Sequence, residues 1–225
     1  VLTKRRFDLL KHQNLINMKK VIFVFAAIIT ALTTYAQYDP EALAVLDAMS
    51  SKYKKIPSFQ ANFSQQMINE GAGIDETIKG EIAVKGDMYV LKVAGQEIYN
   101  NATDVYTYSA EIQEVTVSTF DPEEQEITLG NIYDLYKEGY KYVLMSTQGN
   151  GDRIIELSPE KNDKSYHKIR LVIDKNDDLK KFTVFEKTGN QYIYDIKNFK
   201  AVALTDAYFT FDTSKYPDVE VIDFR

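Results

Sequence analysis

From Phe59 onward the chain is written largely in period two: short runs in which apolar and polar residues alternate, separated by residues that favour turns. Phe59, Ala61 and Phe63 alternate with Gln60, Asn62 and Ser64, and Ile78, Gly80, Ile82 and Val84 alternate with charged and polar neighbours. A side-chain period of two belongs to a strand with one buried face. Further strands are predicted at 88–93, 96–100, 104–109, 113–119, 140–146, 153–158, 167–174, 179–187, 190–199 and 207–211. The links carry turn chemistry: Gly71-Ala72-Gly73, Lys85-Gly86-Asp87, Asn100-Asn101, Asn150-Gly151, Asn176-Asp177 and Gly189-Asn190. Many short strands without intervening helices imply an antiparallel sheet or barrel.

Two segments depart from this period. Asp39-Pro40-Glu41 suits a helix N-terminus, and Leu43, Leu46, Met49 or Ser50, and Tyr53 recur at helical spacing, so a helix is predicted over about 40–54, stopped by Pro57. Asn131 to Gly139 places Ile132, Leu135 and Tyr136 on one face of a second, short helix ending at Gly139. The predicted class is therefore mainly β with α (α+β): one strongly curved sheet with two helices laid on one side.

Met18 to Gln37 reads as a secretory signal. Lys19 and Lys20 form a positive start, Val21 to Leu32 is an apolar run shorter than the roughly 20 residues a membrane span needs, and Thr34-Tyr35-Ala36 offers a small-x-small cleavage site before Gln37. Residues 1–17 are expected to be an upstream extension, 18–36 the signal, and 37–225 one domain. No cysteine stands at the cleavage point or elsewhere, so export to the periplasm without a lipid anchor or disulfide is expected. Residues 37–225 carry 21 basic and 32 acidic side chains, a formal charge of −11. That balance argues against nucleic acid and against adsorption to an anionic membrane surface.

The residues offer little catalytic chemistry. His167 is the one histidine after the signal and has no Cys or second His to share a metal; no Gly-x-Ser-x-Gly elbow or phosphate-cradling loop occurs. Asp174-Lys175-Asn176-Asp177-Asp178 begins like a calcium loop, but Leu179 stands where Gly is required and Phe185 where Glu is, so a polar hairpin tip is expected. Asp121, Glu123, Glu124 and Glu126 read as a solvated acidic loop. Neither an enzyme nor a cofactor is expected. The 16 Tyr and 12 Phe instead suggest apolar surface beyond one simple core. A curled sheet lined with such groups, under movable helices, would enclose a cavity for acyl chains; an aromatic platform for sugar rings is the rival use.

The order of motifs over about residues 40 to 225 resembles the LolA family of periplasmic lipoprotein carriers. The resemblance lies in Ile56 to Gln65 (IPSFQANFSQ), Lys79-Gly80-Glu81-Ile82, the Lys85-Gly86-Asp87 turn, Asn100 to Tyr108 (NNATDVYTY), and the ending Tyr208-Phe209-Thr210-Phe211 with Tyr216 to Asp223 (YPDVEVID). It implies an incomplete antiparallel β-barrel whose hollow is closed by helices. The implied activity is to take the acyl chains of a lipoprotein from an inner-membrane transporter and hand them to an outer-membrane acceptor. The same fold used as a lipoprotein sensor is the alternative, and a monomer is expected. Acyl chains are expected against Phe59, Phe63, Ile82, Val84, Met88, Val90, Tyr106 and Tyr108, and against Leu43, Leu46, Ile132 and Leu135 of the covering helices. Family members often carry an Arg in the turn before the third strand, where it helps to hold the lid closed. Here Lys85 is the substitute candidate, without the planar fork of Arg.

Overall fold

The computed structural model describes residues 38–122 and 127–225. The expected upstream extension, signal and cleavage site lie outside the described residues, as do Glu123, Glu124 and Glu126. Helix α1 (Pro40–Tyr53) comes first, with Ala42, Leu46, Met49, Ser50 and Tyr53 as its buried stripe. Six strands follow: β1 (Phe59–Asn69), β2 (Ile74–Lys85), β3 (Met88–Val93), β4 (Gln96–Asn100), β5 (Asp104–Ser109) and β6 (Glu114–Thr119). After a connection come β7 (Tyr140–Thr147), β8 (Arg153–Pro159), β9 (Tyr166–Ile173), β10 (Leu179–Glu186) and β11 (Gln191–Ala201), and finally the short β12 (Glu220–Asp223).

All twelve strands form one curved sheet in the order β12-β6-β5-β4-β3-β2-β1-β11-β10-β9-β8-β7. The two ends of this order do not pair with each other, so the sheet stays an open, incomplete barrel. Every pairing is antiparallel except β12 on β6, which is parallel. The turns fall where the sequence puts them: Gly86, Gly151, Asp177 and Gly189 all take positive φ.

The chain order explains how both faces become buried. Strands β1 to β6 meander out to one edge, and β7 to β11 return from the other edge to pair β11 with β1. The link from β6 to β7 must therefore cross the width of the sheet, and it does so over the concave face. The link from β11 to β12 must reach the β6 edge, and it crosses the outer face.

The concave face, α1 and the first crossing share the main core, which includes Phe59, Phe63, Ile82, Val84, Ile155, Leu157, Ile169, Leu171 and Phe182. The outer face carries two smaller clusters. In one, Phe209 is inserted against Ala83 and Val90. In the other, Phe211 packs with Tyr108 and Val115, and Tyr216 stacks on Phe211 at 4.8 Å between ring centres. Segment 202–219 is thus a strap clamped by its aromatics to the back of β2 to β6.

Two sequence expectations change here. The strand expected at 207–211 is instead a 3-10 turn, Asp206–Phe209, within the strap. Its alternation reflects Phe209 and Phe211 buried against the sheet while Tyr208 and Thr210 stay exposed. The short helix expected at 131–139 reduces to hydrogen-bonded turns and one 3-10 turn, Leu135–Lys137, with Gly139 at a φ of 75°.

Candidate functional site

A cavity of about 370 Å³ lies on the concave face, between β1 to β3, the near ends of β10 and β11, and the crossing from β6 to β7. Its sheet wall is mostly apolar: Phe63, Ile82 and Val84, then Tyr89, Leu91 and Val93, with Phe182 and Tyr194 behind and Gln65 as a polar exception. Its roof comes from Ile127 to Asn131, with Leu129 buried. Phe182 lies parallel to Tyr194 at 4.4 Å between ring centres. Burial pushes the Tyr194 hydroxyl up to about 12, further from the range in which it would ionise.

Gly80 shapes the cavity wall by what it lacks. It sits directly opposite Phe63 across the β1–β2 pair. A Cβ there would stand 2.6 Å from the Phe63 ring and 2.7 Å from the Lys92 carbonyl oxygen. The ring lies over bare backbone, the cross-strand packing by which an aromatic compensates a strand glycine.

Four expected site residues, Phe59, Phe63, Ile82 and Val84, are brought together on the concave face. Of these, Phe63, Ile82 and Val84 line the cavity itself. Phe59 sits deeper, edge-on to Tyr53 and beside Phe199. Leu46 and Ile132 are fully buried in the same core, with Leu43 and Leu135 packed against it. Helix α1 and the Ile132–Tyr136 stretch therefore fill part of the concave face.

Met88, Val90, Tyr106 and Tyr108 are placed elsewhere, with their side chains on the outer face. The cause is parity. Gly86-Asp87 is a two-residue turn that sets Lys85 opposite Met88, and hence Val84 opposite Tyr89. The concave residues of β3 are then Tyr89, Leu91 and Val93, while Met88 and Val90 pack on Ala83 and Phe209 behind the sheet. Met88 reaches the cavity only at its rim. The pairs Val90 to Tyr99 and Tyr99 to Tyr106 carry the same parity to β5, so Tyr106 and Tyr108 meet Phe211 rather than the cavity. Leu91 and Val93 were legible in principle, since they flank Lys92; Phe182, Tyr194 and Leu129 required the topology.

Lys85 also points outward. Its ammonium donates to the Leu204 carbonyl at 3.0 Å and to Asp206 at 2.6 Å, tying the strap to β2. It does not touch the roof. Lys85→Ala is therefore expected to cost under about 1 kcal/mol, as for other exposed pairs. It should raise hydrogen exchange near residues 202–208 and leave that of residues 127–137 unchanged.

The roof has a different fastening, which sequence reasoning missed. Ser50 on α1 donates to Asp134 at 2.5 Å, and Lys137 donates to both Asp134 and Ser50, the latter at 2.9 Å. Lys54 stands 3.5 Å from Asp134, and the Tyr136 hydroxyl donates to Asp47 at 2.5 Å. Tyr133 stacks on Tyr53 at 3.6 Å, and burial pushes the Tyr53 hydroxyl to about 12. Helix α1 is moored in turn to the β9–β10 hairpin, where Lys52 bonds Asp178 at 2.5 Å and the Asn176 carbonyl at 2.8 Å. In that hairpin tip Asp174 accepts the backbone amides of Asn176 and Asp178.

Burial raises the Asp134 carboxyl, but the hydrogen bonds from Lys137 and Ser50 outweigh it and the net shift is down. The ionised latch is then favoured above the ordinary aspartate value of about 3.9, and is lost as pH falls through the lower folded value. Asp134→Ala should raise amide exchange across 127–137 several-fold at neutral pH while global stability changes by under about 1 kcal/mol. The same exchange should appear in the wild type only in acid.

Comparison with known proteins agrees with this architecture. Residues 54–212 match the family model described as "Outer membrane lipoprotein carrier protein LolA". An outer-membrane lipoprotein carrier protein of Pectobacterium carotovorum subsp. carotovorum is 24% identical over 213 residues, covering 88% of this chain and 96% of its own. One of Actinobacillus succinogenes is 23% identical over 192 residues, covering 83% and 91%. Among solved structures, an uncharacterised conserved protein from Thermus thermophilus superposes with a TM-score of 0.53 at 14% identity, covering 81% of this chain and 99% of that one. That likeness establishes the shared fold. The family match spans most of the chain, from the end of α1 to the strap, and so includes every wall of the cavity: the chain belongs to the LolA family of outer membrane lipoprotein carrier proteins.

Proposed function

We propose that this protein is a periplasmic carrier that holds lipoprotein acyl chains in the concave cavity. It takes them from an inner-membrane lipoprotein-releasing transporter and delivers them to an acceptor at the outer membrane. The observation that carries this reading is the combination of an apolar hollow of about 370 Å³ with a covering stretch held to α1 by polar bonds as well as by apolar packing. Burial contributes roughly 0.8 kcal/mol per methylene, so a fully enclosed chain would be held too tightly to pass on. Polar bonds of this kind each contribute about 1 kcal/mol, so they add only moderately to the cost of opening the roof. The site comprises Phe63, Ile82 and Val84 from the first hairpin, together with Leu91, Phe182 and Tyr194. The protein acts as a monomer without a cofactor, in the form of a single domain over 37–225 after cleavage between Ala36 and Gln37.

The test is native mass spectrometry with a triacylated lipopeptide and the same peptide deacylated. The carrier reading requires a one-to-one complex with the acylated form alone. Equal binding of both, or of neither, contradicts it.

A further inference from the structure

The outer face of the sheet is only partly covered by the strap. Beside it runs a trough made of two adjoining hollows, of about 270 and 820 Å³, that share Asn62, Glu81, Lys92 and Asn198. It lies on the opposite side of the sheet from the acyl cavity and differs from it in chemistry.

The pairing of the central strands defines its floor. Lys92, Glu81, Asn62 and Lys197 follow one another across β3, β2, β1 and β11, with Lys79, Ser64 and Asp195 in the next row and Gln60 opposite Lys200 in the row before. Neighbouring strands are about 4.8 Å apart, so these side chains form one continuous patch. Lys92 is matched by Glu97 at 3.1 Å, and Asp195 by Lys181 at 3.3 Å. Among the described residues Lys79, Lys197 and Lys200 meet no carboxylate, and all three are exposed. Counting the exposed Glu81 with Glu97 and Asp195 against Lys79, Lys92, Lys181, Lys197 and Lys200, the patch carries a formal +2 in a chain whose residues 37–225 carry −11.

The backbone is opened at the same place. The β1–β11 register slips between Gln60 and Asn62, and Asn198 takes a φ of 54° in the resulting bulge. Bulges of this kind interrupt the ladder and re-aim side chains. Asn198 donates to Asn62 at 3.0 Å, and Gln60 donates to the exposed Tyr208 hydroxyl at 3.1 Å. A row of amides therefore lies between the lysines, able to bond a peptide backbone as well as a carboxylate.

We propose that this trough is a docking surface for an extended acidic segment of a partner protein. Lysines without partners attract carboxylates, and the amides accept and donate to main chain. The trough is open, and its floor presents lysines and side-chain amides, which suits a charged, extended peptide better than an acyl chain. Because the two sites are on opposite faces, a partner could be held while cargo occupies the cavity. Charge pairing at such a surface acts chiefly on association rate and is weakened by salt.

The test uses a fluorescein-labelled octapeptide of alternating glutamate and serine, read by anisotropy at low and high salt, against wild type and Lys79→Glu/Lys197→Glu/Lys200→Glu. The expected result is salt-sensitive binding to wild type that the triple variant weakens at least about tenfold, with an intermediate loss for glutamine at the same positions. Acyl-lipopeptide binding should be the same in all three proteins. Equal peptide binding to wild type and the triple variant overturns the proposal, as does no binding to wild type at low salt. So does charge-dependent sedimentation with phosphatidylglycerol vesicles in place of peptide binding, which would make the partner a membrane. Failure of wild type to bind acylated lipopeptide would contradict the carrier reading alone and leave the trough standing.

Discussion

Phe209→Ala is expected to be the most destabilising single truncation outside the main core, costing about 3–5 kcal/mol and lowering Tm by roughly 10 °C. Phe209 is fully buried, and Ala83 and Val90 beneath it are themselves small or already packed, so the cavity left behind has little means of collapsing. The neighbouring fastenings do not substitute for it. Buried Ser58 and the partly exposed Lys85 hold the strap by hydrogen bonds at Val202, Leu204 and Asp206, none of which fills the space of the Phe209 ring. Thermal unfolding of the variant measures the effect. A loss under about 1 kcal/mol would mean that the strap is not the clamp on the outer face.

Leu91→Trp is expected to weaken acyl-lipopeptide binding at least tenfold, about 1.4 kcal/mol. Leu91 is a partly buried side chain on the cavity wall, and enlarging it takes up space that an acyl chain would otherwise occupy. Tyr106→Ala, an equally drastic change only two strands away, should leave binding within twofold because its ring lies beside Phe211 behind the sheet. Isothermal titration of the two variants separates the faces. Equal losses in both would contradict the assignment of faces made from the strand register.

The sheet was legible because its period-two runs are long and its turns carry the right residues. Asp104–Ser109 and Gln96–Asn100 fall on their expected bounds, and Asn176-Asp177 turns where the sequence says it should. Helix α1 was legible for the same reason, through the spacing of Leu46, Met49 and Tyr53. The failures have different physical sources. Parity tells which face a residue shares with its neighbours only when one face is polar, and β5 has Val105 and Thr107 on one side against Tyr106 and Tyr108 on the other. Both sides are partly or fully buried there because the strap covers the back, and the strap's course depends on β12 reaching β6. Local sequence does not reveal such a long-range pairing. For β3 the information was present: a two-residue turn at Gly86-Asp87 forces Tyr89, not Met88 or Val90, onto the face of Val84. The latch was missed because Ser50 and Asp134 are 84 residues apart and each is an ordinary polar residue by itself.

The central claim is that acyl chains enter the concave cavity and no other part of the sheet. A triacylated lipopeptide carrying a diazirine on its acyl chains, irradiated in complex with the protein, tests it by mapping the crosslinks. The account predicts adducts on Leu91, Leu129, Phe182 and Tyr194, and their loss in Leu91→Trp. Adducts concentrated on Val90, Tyr106, Tyr108 or Phe211 would contradict it.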